Sequence, residues 1–181
     1  MHSKIFKLIY VALLFFLGQG NVSFAQNRII KINPKTSRIN FNIKHLGVLN
    51  VDGKYEDFQG KLVLQNKKVL LVCAKVSVNS INTGDKNRDK TLKGNEYLDF
   101  DNFPMFDFNS EISSSDIING VLRIKEVSKP LKLKYQFSKE KSIQVLSIST
   151  EISRKFFELN FGSMNALMGD KIKVTITINI N

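Results

Sequence analysis

Between residues 28 and 180 the chain is a succession of short stretches in which apolar and polar residues alternate. In residues 38–45, Ile39, Phe41 and Ile43 share one face, and Asn40, Asn42 and Lys44 share the other. A period of two marks a half-buried β-strand, because successive side chains leave opposite sides of the pleat. The pattern returns in residues 69–80, where Leu70, Val72, Ala74, Val76 and Val78 fall in phase. It returns again in 105–112, with Phe106 and Phe108 inward and Asp107 and Asn109 toward water. Leu131, Leu133, Tyr135 and Phe137 define a further strand, and Leu146, Ile148, Thr150 and Ile152 another. The last runs from Ile172 to Ile180. Residues 28–32 make a short first strand, and 117–127 a strand pair turning at Asn119-Gly120. Residues 33–37 and 66–68 read as turns, 47–53 as a bend, and Gly60 as a bulge or barrel corner.

One long stretch interrupts the alternation. Residues 80–108 hold Gly84, Gly94, Pro104 and five aspartates. Residues 85–98 read as a short helix, capped by Thr83 or Asp85 and broken at Gly94. Connections of about 20 residues are uncommon in compact domains and are often functional. A lid and a solvated crossover are both compatible with this spacing.

Eight or nine alternating strands joined mostly by short turns imply an antiparallel sheet with one wet face. Closure into a barrel removes the exposed edges, and about eight strands leave an interior that is filled or holds one small ligand. A two-sheet sandwich satisfies the same alternation.

The first 25 residues carry a different pattern. Lys4 and Lys7 precede an apolar run from Leu8 to Leu17, and Ser23-Phe24-Ala25 supplies small residues for a peptidase. This predicts a signal peptide cleaved before Gln26, leaving a single domain over residues 26–181 and a periplasmic or secreted location. That domain has 25 basic and 16 acidic residues, a formal charge of +9. The lysines are spread along outward strand positions without a basic cluster interleaved with aromatics, which argues against nucleic acid. Transient contact with a membrane surface and a homodimer both remain compatible with the sequence. Cys73 is the only cysteine, so no internal disulfide forms.

Candidate chemistry is sparse. His45 is the only histidine after residue 25, and one His with one Cys makes no metal site. No nucleophile elbow, phosphate loop or dinucleotide motif is present, and no cofactor is expected. His45 stands at the end of an inward row, either as a rim histidine or as a polar tip facing a ligand. What the interior offers is apolar bulk: the full chain has 14 Phe and no Trp, and the Phe after residue 24 belong to the domain. A solid core and a lined cavity both fit that composition.

Several blocks together resemble a family. Ser37-Arg38-Ile39-Asn40-Phe41-Asn42-Ile43-Lys44-His45 follows an S-x-x-x-F-x-x-x-H pattern, and residues 53–60 follow G-x-F-x-x-F-x-G with Tyr55 for the first Phe. Ser80 to Gly84, Arg88-Asp89, Leu92, Phe103-Pro104 and Phe108-x-Ser110 continue the order. Gly120-x-Leu122, Val127 to Leu131 with Glu126 in place of a Gly, Ile152-x-Arg154 and Asn160-Phe161-Gly162 complete it. In this order and spacing the chain resembles the YceI-like family of exported, lipocalin-like proteins associated with polyisoprenoid binding. The resemblance implies an eight-stranded antiparallel lipocalin-like barrel with a short helical crossover, not an enzyme, holding an isoprenoid or other long-chain lipid. The inward apolar positions expected to meet that ligand are Phe41, Ile43, Val76, Val78, Phe106, Phe108, Tyr135 and Ile148. Arg88 and Asp89 are expected to hold the crossover, with a direct ion pair as the expected contact and Arg88 at a ligand head group as the second reading. A lipid-acting hydrolase or isomerase using His45, and a stress-linked interaction protein with a filled core, are the alternatives.

Overall fold

The computed structural model describes residues 26–112, 116–140 and 142–180. The predicted signal peptide and its cleavage point lie outside the described residues. The strands are β1 (Arg28–Ile32), β2 (Ser37–His45), β3 (Leu49–Tyr55), β4 (Phe58–Gln65), β5 (Lys68–Ser77), β6 (Ile81–Asn82), β7 (Met105–Ser110), β8 (Ile117–Ile124), β9 (Val127–Glu140), β10 (Ile143–Ser153) and β11 (Met168–Ile180). One helix, α1 (Lys86–Lys93), lies between β6 and β7. All pairings are antiparallel, in the order β1-β4-β5-β7-β8-β9-β10-β11-β2-β3-β6.

Eleven strands replace the expected eight, and the chain path explains the difference. β3 and β4 are separated only by Glu56 and Asp57, and β5 and β6 only by a 3-10 turn at Val78–Ser80. Two hydrogen bonds carry the pairing across both interruptions: Ser77 N to the Asp57 carbonyl at 2.9 Å and Glu56 N to the Ser80 carbonyl at 3.1 Å. Each pair therefore acts as one kinked strand, and β6, at one end of the order, is the continuation of β5. Counted this way, eight long strands curl into a lipocalin-like barrel and β1 is added along β4.

Four local expectations are corrected. Residues 47–53 are not a bend: Leu46 and Gly47 take positive φ in a tight turn, and β3 starts at Leu49. Asn119-Gly120 is not a turn but strand interior, with Gly120 paired to Ser110 and Leu131. A Cβ on Gly120 would come 2.6 Å from the Asn109 carbonyl and 2.6 Å from Phe108 Cζ, so the residue is small because the Phe108 ring crosses it. The hairpin turns instead at Lys125-Glu126, with Lys125 at φ 54°. Register runs unbroken through Gly60, and the irregularity falls between Val63 and Leu64, opposite Leu70. Leu70 is the extra residue, so Val69 turns inward in its place. Finally, Asp107 shares the outward parity of Asn109 but is buried, held by Arg123 at 2.6 Å and Lys75 at 3.6 Å. Cross-strand partners on the outer face, not solvent, satisfy it.

The two ends of the barrel differ. Near the β4–β5 hairpin, Leu62, Leu64, Val69, Ile118, Leu146 and Ile180 pack as a buried plug. At the other end the closing elements are the crossover with α1 and the loop of residues 154–167. Within that loop, Gly162–Met164 form a 3-10 turn.

Candidate functional site

Above the plug the barrel is hollow. A cavity of about 440 Å³ runs between β2, β3, β5, β7, β10 and β11 and ends under the crossover. That volume falls in the range of small-molecule sites, roughly 300–1,000 Å³. Its wall follows from the alternation: one row from each strand, such as Ile39, Phe41 and Ile43 on β2 and Ile172, Val174 and Ile176 on β11, faces the interior.

Six of the eight residues singled out from the sequence lie on this wall: Phe41, Ile43, Val76, Phe106, Phe108 and Ile148. Two stand elsewhere. Val78 is fully buried in the 3-10 turn, where its N–H donates to the Pro104 carbonyl at 2.9 Å. Tyr135 packs edge-on against Phe137 with ring centres 5.8 Å apart, and its hydroxyl accepts from Val69 N at 3.3 Å. The 3-10 turn that follows Ser77 breaks the phase on which Val78 was placed.

Tyr55 is the wall residue that strand parity missed, because β3 reads as a bend. Its ring lies between Phe41, at 5.6 Å, and Phe106, at 5.8 Å and edge-on. Tyr55 is half-buried, and the surface it retains faces the cavity. Desolvation pushes its phenol above the usual tyrosine range, so it stays neutral.

The polar residues gather where the crossover meets the wall. Asp85 caps α1 by accepting from Asn87 N at 2.9 Å and Arg88 N at 3.0 Å, and these backbone bonds hold its carboxyl below the ordinary range. The cap sets Arg88 on the cavity side. Arg88 donates from Nε to Thr83 Oγ1 and from Nη2 to the Thr83 carbonyl, both at 2.8 Å. Asp89 accepts from Thr83 N at 2.9 Å and from Thr83 Oγ1 at 2.6 Å. Arg88 and Asp89 therefore act through Thr83 and do not form the expected direct ion pair.

His45 also lines the cavity, with Nδ1 3.2 Å from Met168 Sδ. A thioether neither accepts a proton nor orients an imidazole as a carboxylate does. Among the described residues, no three His, Cys, Asp or Glu side chains converge as metal ligands would.

Arg154 supports the rim from behind. It is 2% exposed, at the end of β10. It donates to the carbonyls of Leu159 (2.8 Å), Gly169 (3.3 Å), Asn165 (3.3 Å) and Met168 (3.4 Å) and to Asn165 Oδ1, and it stands over the Phe161 ring at 5.0 Å. The loop of residues 154–167 is wound around this one guanidinium. It in turn brings Phe161, Met164 and Met168 to the cavity.

The sequence profile of the YceI-like domain matches residues 30–180. A UPF0312 protein of Shewanella sp. (strain W3-18-1) is 30% identical over 117 residues, which is 61% of this chain and 61% of the relative. The aligned region thus spans less than two thirds of that relative's length. The crystal structure of Burkholderia cenocepacia BcnA superposes with a TM-score of 0.70 at 16% identity, covering 80% of this chain and 96% of BcnA. A polyisoprenoid binding domain from Saccharophagus degradans, implicated in plant cell wall breakdown, superposes with a TM-score of 0.64 at 10% identity, covering 85% of this chain and 98% of that domain. These likenesses at low identity are likenesses of fold.

Proposed function

The chain belongs to the YceI-like family, and from the hollow, apolar barrel we propose that it is an exported binding protein that holds an isoprenoid or other long-chain lipid. The observation that carries this reading is the cavity itself: a largely apolar wall, a plugged floor, and Thr83 and Arg88 gathered where the crossover closes it. An aliphatic chain entering it gains about 25 cal/mol for each Å² of apolar surface removed from water. Phe41, Ile43, Val76, Phe106, Phe108 and Ile148 are the ligand-facing residues in this reading. The tail lies along them and the polar end stays near Arg88 and Thr83. The binding domain of the Saccharophagus neighbour has the same fold, which supports a chain-like ligand.

A binding role is also favoured over turnover by His45, because its Nδ1 neighbour is Met168 and it lacks the oriented partner that a general base requires. Export follows from the sequence pattern of residues 1–25.

The rim suggests where loading occurs. Leu46, Val48 and Leu49 of the β2–β3 turn, and Phe156, Met164 and Leu167 of the Arg154 loop, are exposed apolar residues. Leu46 N donates to the Leu167 carbonyl at 2.7 Å, which joins the two groups beside the mouth. Lys129 stands 4.8 Å over Phe156, adding a cation at the border. This apolar rim with basic flanks matches the surface of an anionic bilayer, from which a lipid would pass into the cavity.

The test of the binding reading is a fluorescence titration with a polyene isoprenoid probe. Wild type should bind it saturably, and Val76→Trp, which fills the cavity from its wall, should bind at least tenfold more weakly with an unchanged melting temperature. Absence of saturable binding to wild type would overturn the reading.

A further inference from the structure

Tyr55 sets a phenol into the cavity wall between the Phe41 and Phe106 rings. It ends β3, where it pairs with Ile39 on one side and Ile81 on the other. The Phe41 and Phe106 rings fix its plane, so its hydroxyl has little freedom to seek a partner. Among the described residues, no hydrogen-bond partner meets Tyr55 Oη. Tyr135 differs: its hydroxyl is met by the Val69 amide at 3.3 Å. The oxygen keeps access to the cavity, since no buried side-chain polar atom among the described residues is left without a partner, and a donor set in an apolar wall is best satisfied by an acceptor brought to it. Its ring neighbours Phe41 and Phe106 and its strand partners Ile39 and Ile81 offer no acceptor side chain, so the partner comes from what enters the cavity. A neutral phenol offers a donor hydrogen, and its complement is an acceptor oxygen.

Taking the cavity as a lipid site, we propose that the Tyr55 hydroxyl donates a hydrogen bond to an oxygen of the ligand, and that the preferred ligands are chain lipids carrying a carbonyl group rather than plain hydrocarbons. Tyr55 pairs with Ile81, two residues before Thr83, so this oxygen lies on the side of the cavity closed by the crossover. The apolar tail then extends toward the plug. Tyr55 is in this view a specificity-determining residue: it selects among lipids of equal length by their oxygen.

The experiment compares two probes that share a C15 isoprenoid chain, farnesyl acetate with its ester and farnesene without one, as competitors for a fluorescent polyene in wild type and Tyr55→Phe. The variant keeps the ring, and its melting temperature serves as the fold control. The expected result is about a tenfold loss of affinity for the ester, the size of one hydrogen bond, with farnesene changed less than twofold. A second readout is infrared: the ester carbonyl stretch of bound farnesyl acetate should lie lower in wild type than in Tyr55→Phe. Equal changes for both probes, or none for either, with an unshifted carbonyl stretch, would overturn the assignment while leaving the cavity as a lipid site. Failure of both probes to compete in wild type would overturn the assignment together with the binding reading.

Discussion

Arg88 holds Thr83 by two hydrogen bonds, Nε to Oγ1 and Nη2 to the main-chain carbonyl, each 2.8 Å long. The pair ties the first turn of α1 to the end of β6 and so sets the crossover over the cavity mouth. Replacing Arg88 by Leu removes both donors while the barrel strands keep their ladders. We expect hydrogen exchange in residues 84–94 to speed up at least tenfold, with the strand amides unchanged. The global unfolding free energy from urea denaturation should change by no more than about 0.5 kcal/mol, as for a surface change. Loss of protection throughout the barrel would instead make Arg88 part of the global core.

Arg154 is the counterpart on the other side of the mouth. Its five acceptors are neutral, and Arg154→Ala leaves them together around a void. An unsatisfied buried polar group costs about 1–3 kcal/mol. The variant should therefore lose roughly 3 kcal/mol or more in urea unfolding, and Arg154→Lys should recover only part, lacking the planar fork. A chemical denaturation series on the three proteins decides it, and equal stability of wild type and Ala would contradict the account of this loop.

Acid should loosen the same loop. Asp170 accepts from Lys155 N at 2.8 Å and from Ser153 Oγ at 2.8 Å. The Lys155 amide first, then Ser153 and the charges of Lys155 and Arg154, hold its carboxyl below the usual aspartate range despite partial desolvation. A carboxyl depressed in the folded state stabilises above its unfolded pKa, near 3.9, and that contribution is lost as pH falls through the lower folded value. Wild type should therefore lose more stability than Asp170→Asn between pH 6 and pH 2. Parallel loss in both proteins would assign the acid sensitivity elsewhere.

Much of this architecture was legible in the alternation. β2, β9, β10 and β11 were readable because one face is apolar residue by residue, and the Asp85 cap was readable because Asp and a following Gly94 bracket the helix. What the alternation hid has local physical causes. Asn119-Gly120 has turn composition, but Phe108 demands a residue without a side chain at Gly120. Leu70 has strand phase, but the bulge hands its inward place to Val69. Asp52 and Gly53 disguise β3, and Gly53 is there because the Phe41 ring lies across it, with a Cβ falling 2.2 Å from Phe41 Cζ. Losing β3 to a bend also lost Tyr55. Arg154 was visible as part of a motif, but its burial depends on carbonyls brought in by residues 159–169, which no local pattern encodes. The hollow interior depends on how eight rows of side chains meet across the barrel, and composition is blind to that.

The most direct measurement is mass spectrometry of an organic extract from the purified protein, recovered from the exported fraction without detergent. The account predicts a chain lipid near one molecule per protein, depleted in Val76→Trp prepared in the same way. An extract free of lipid, together with a wild-type protein that takes up no isoprenoid probe, would contradict it.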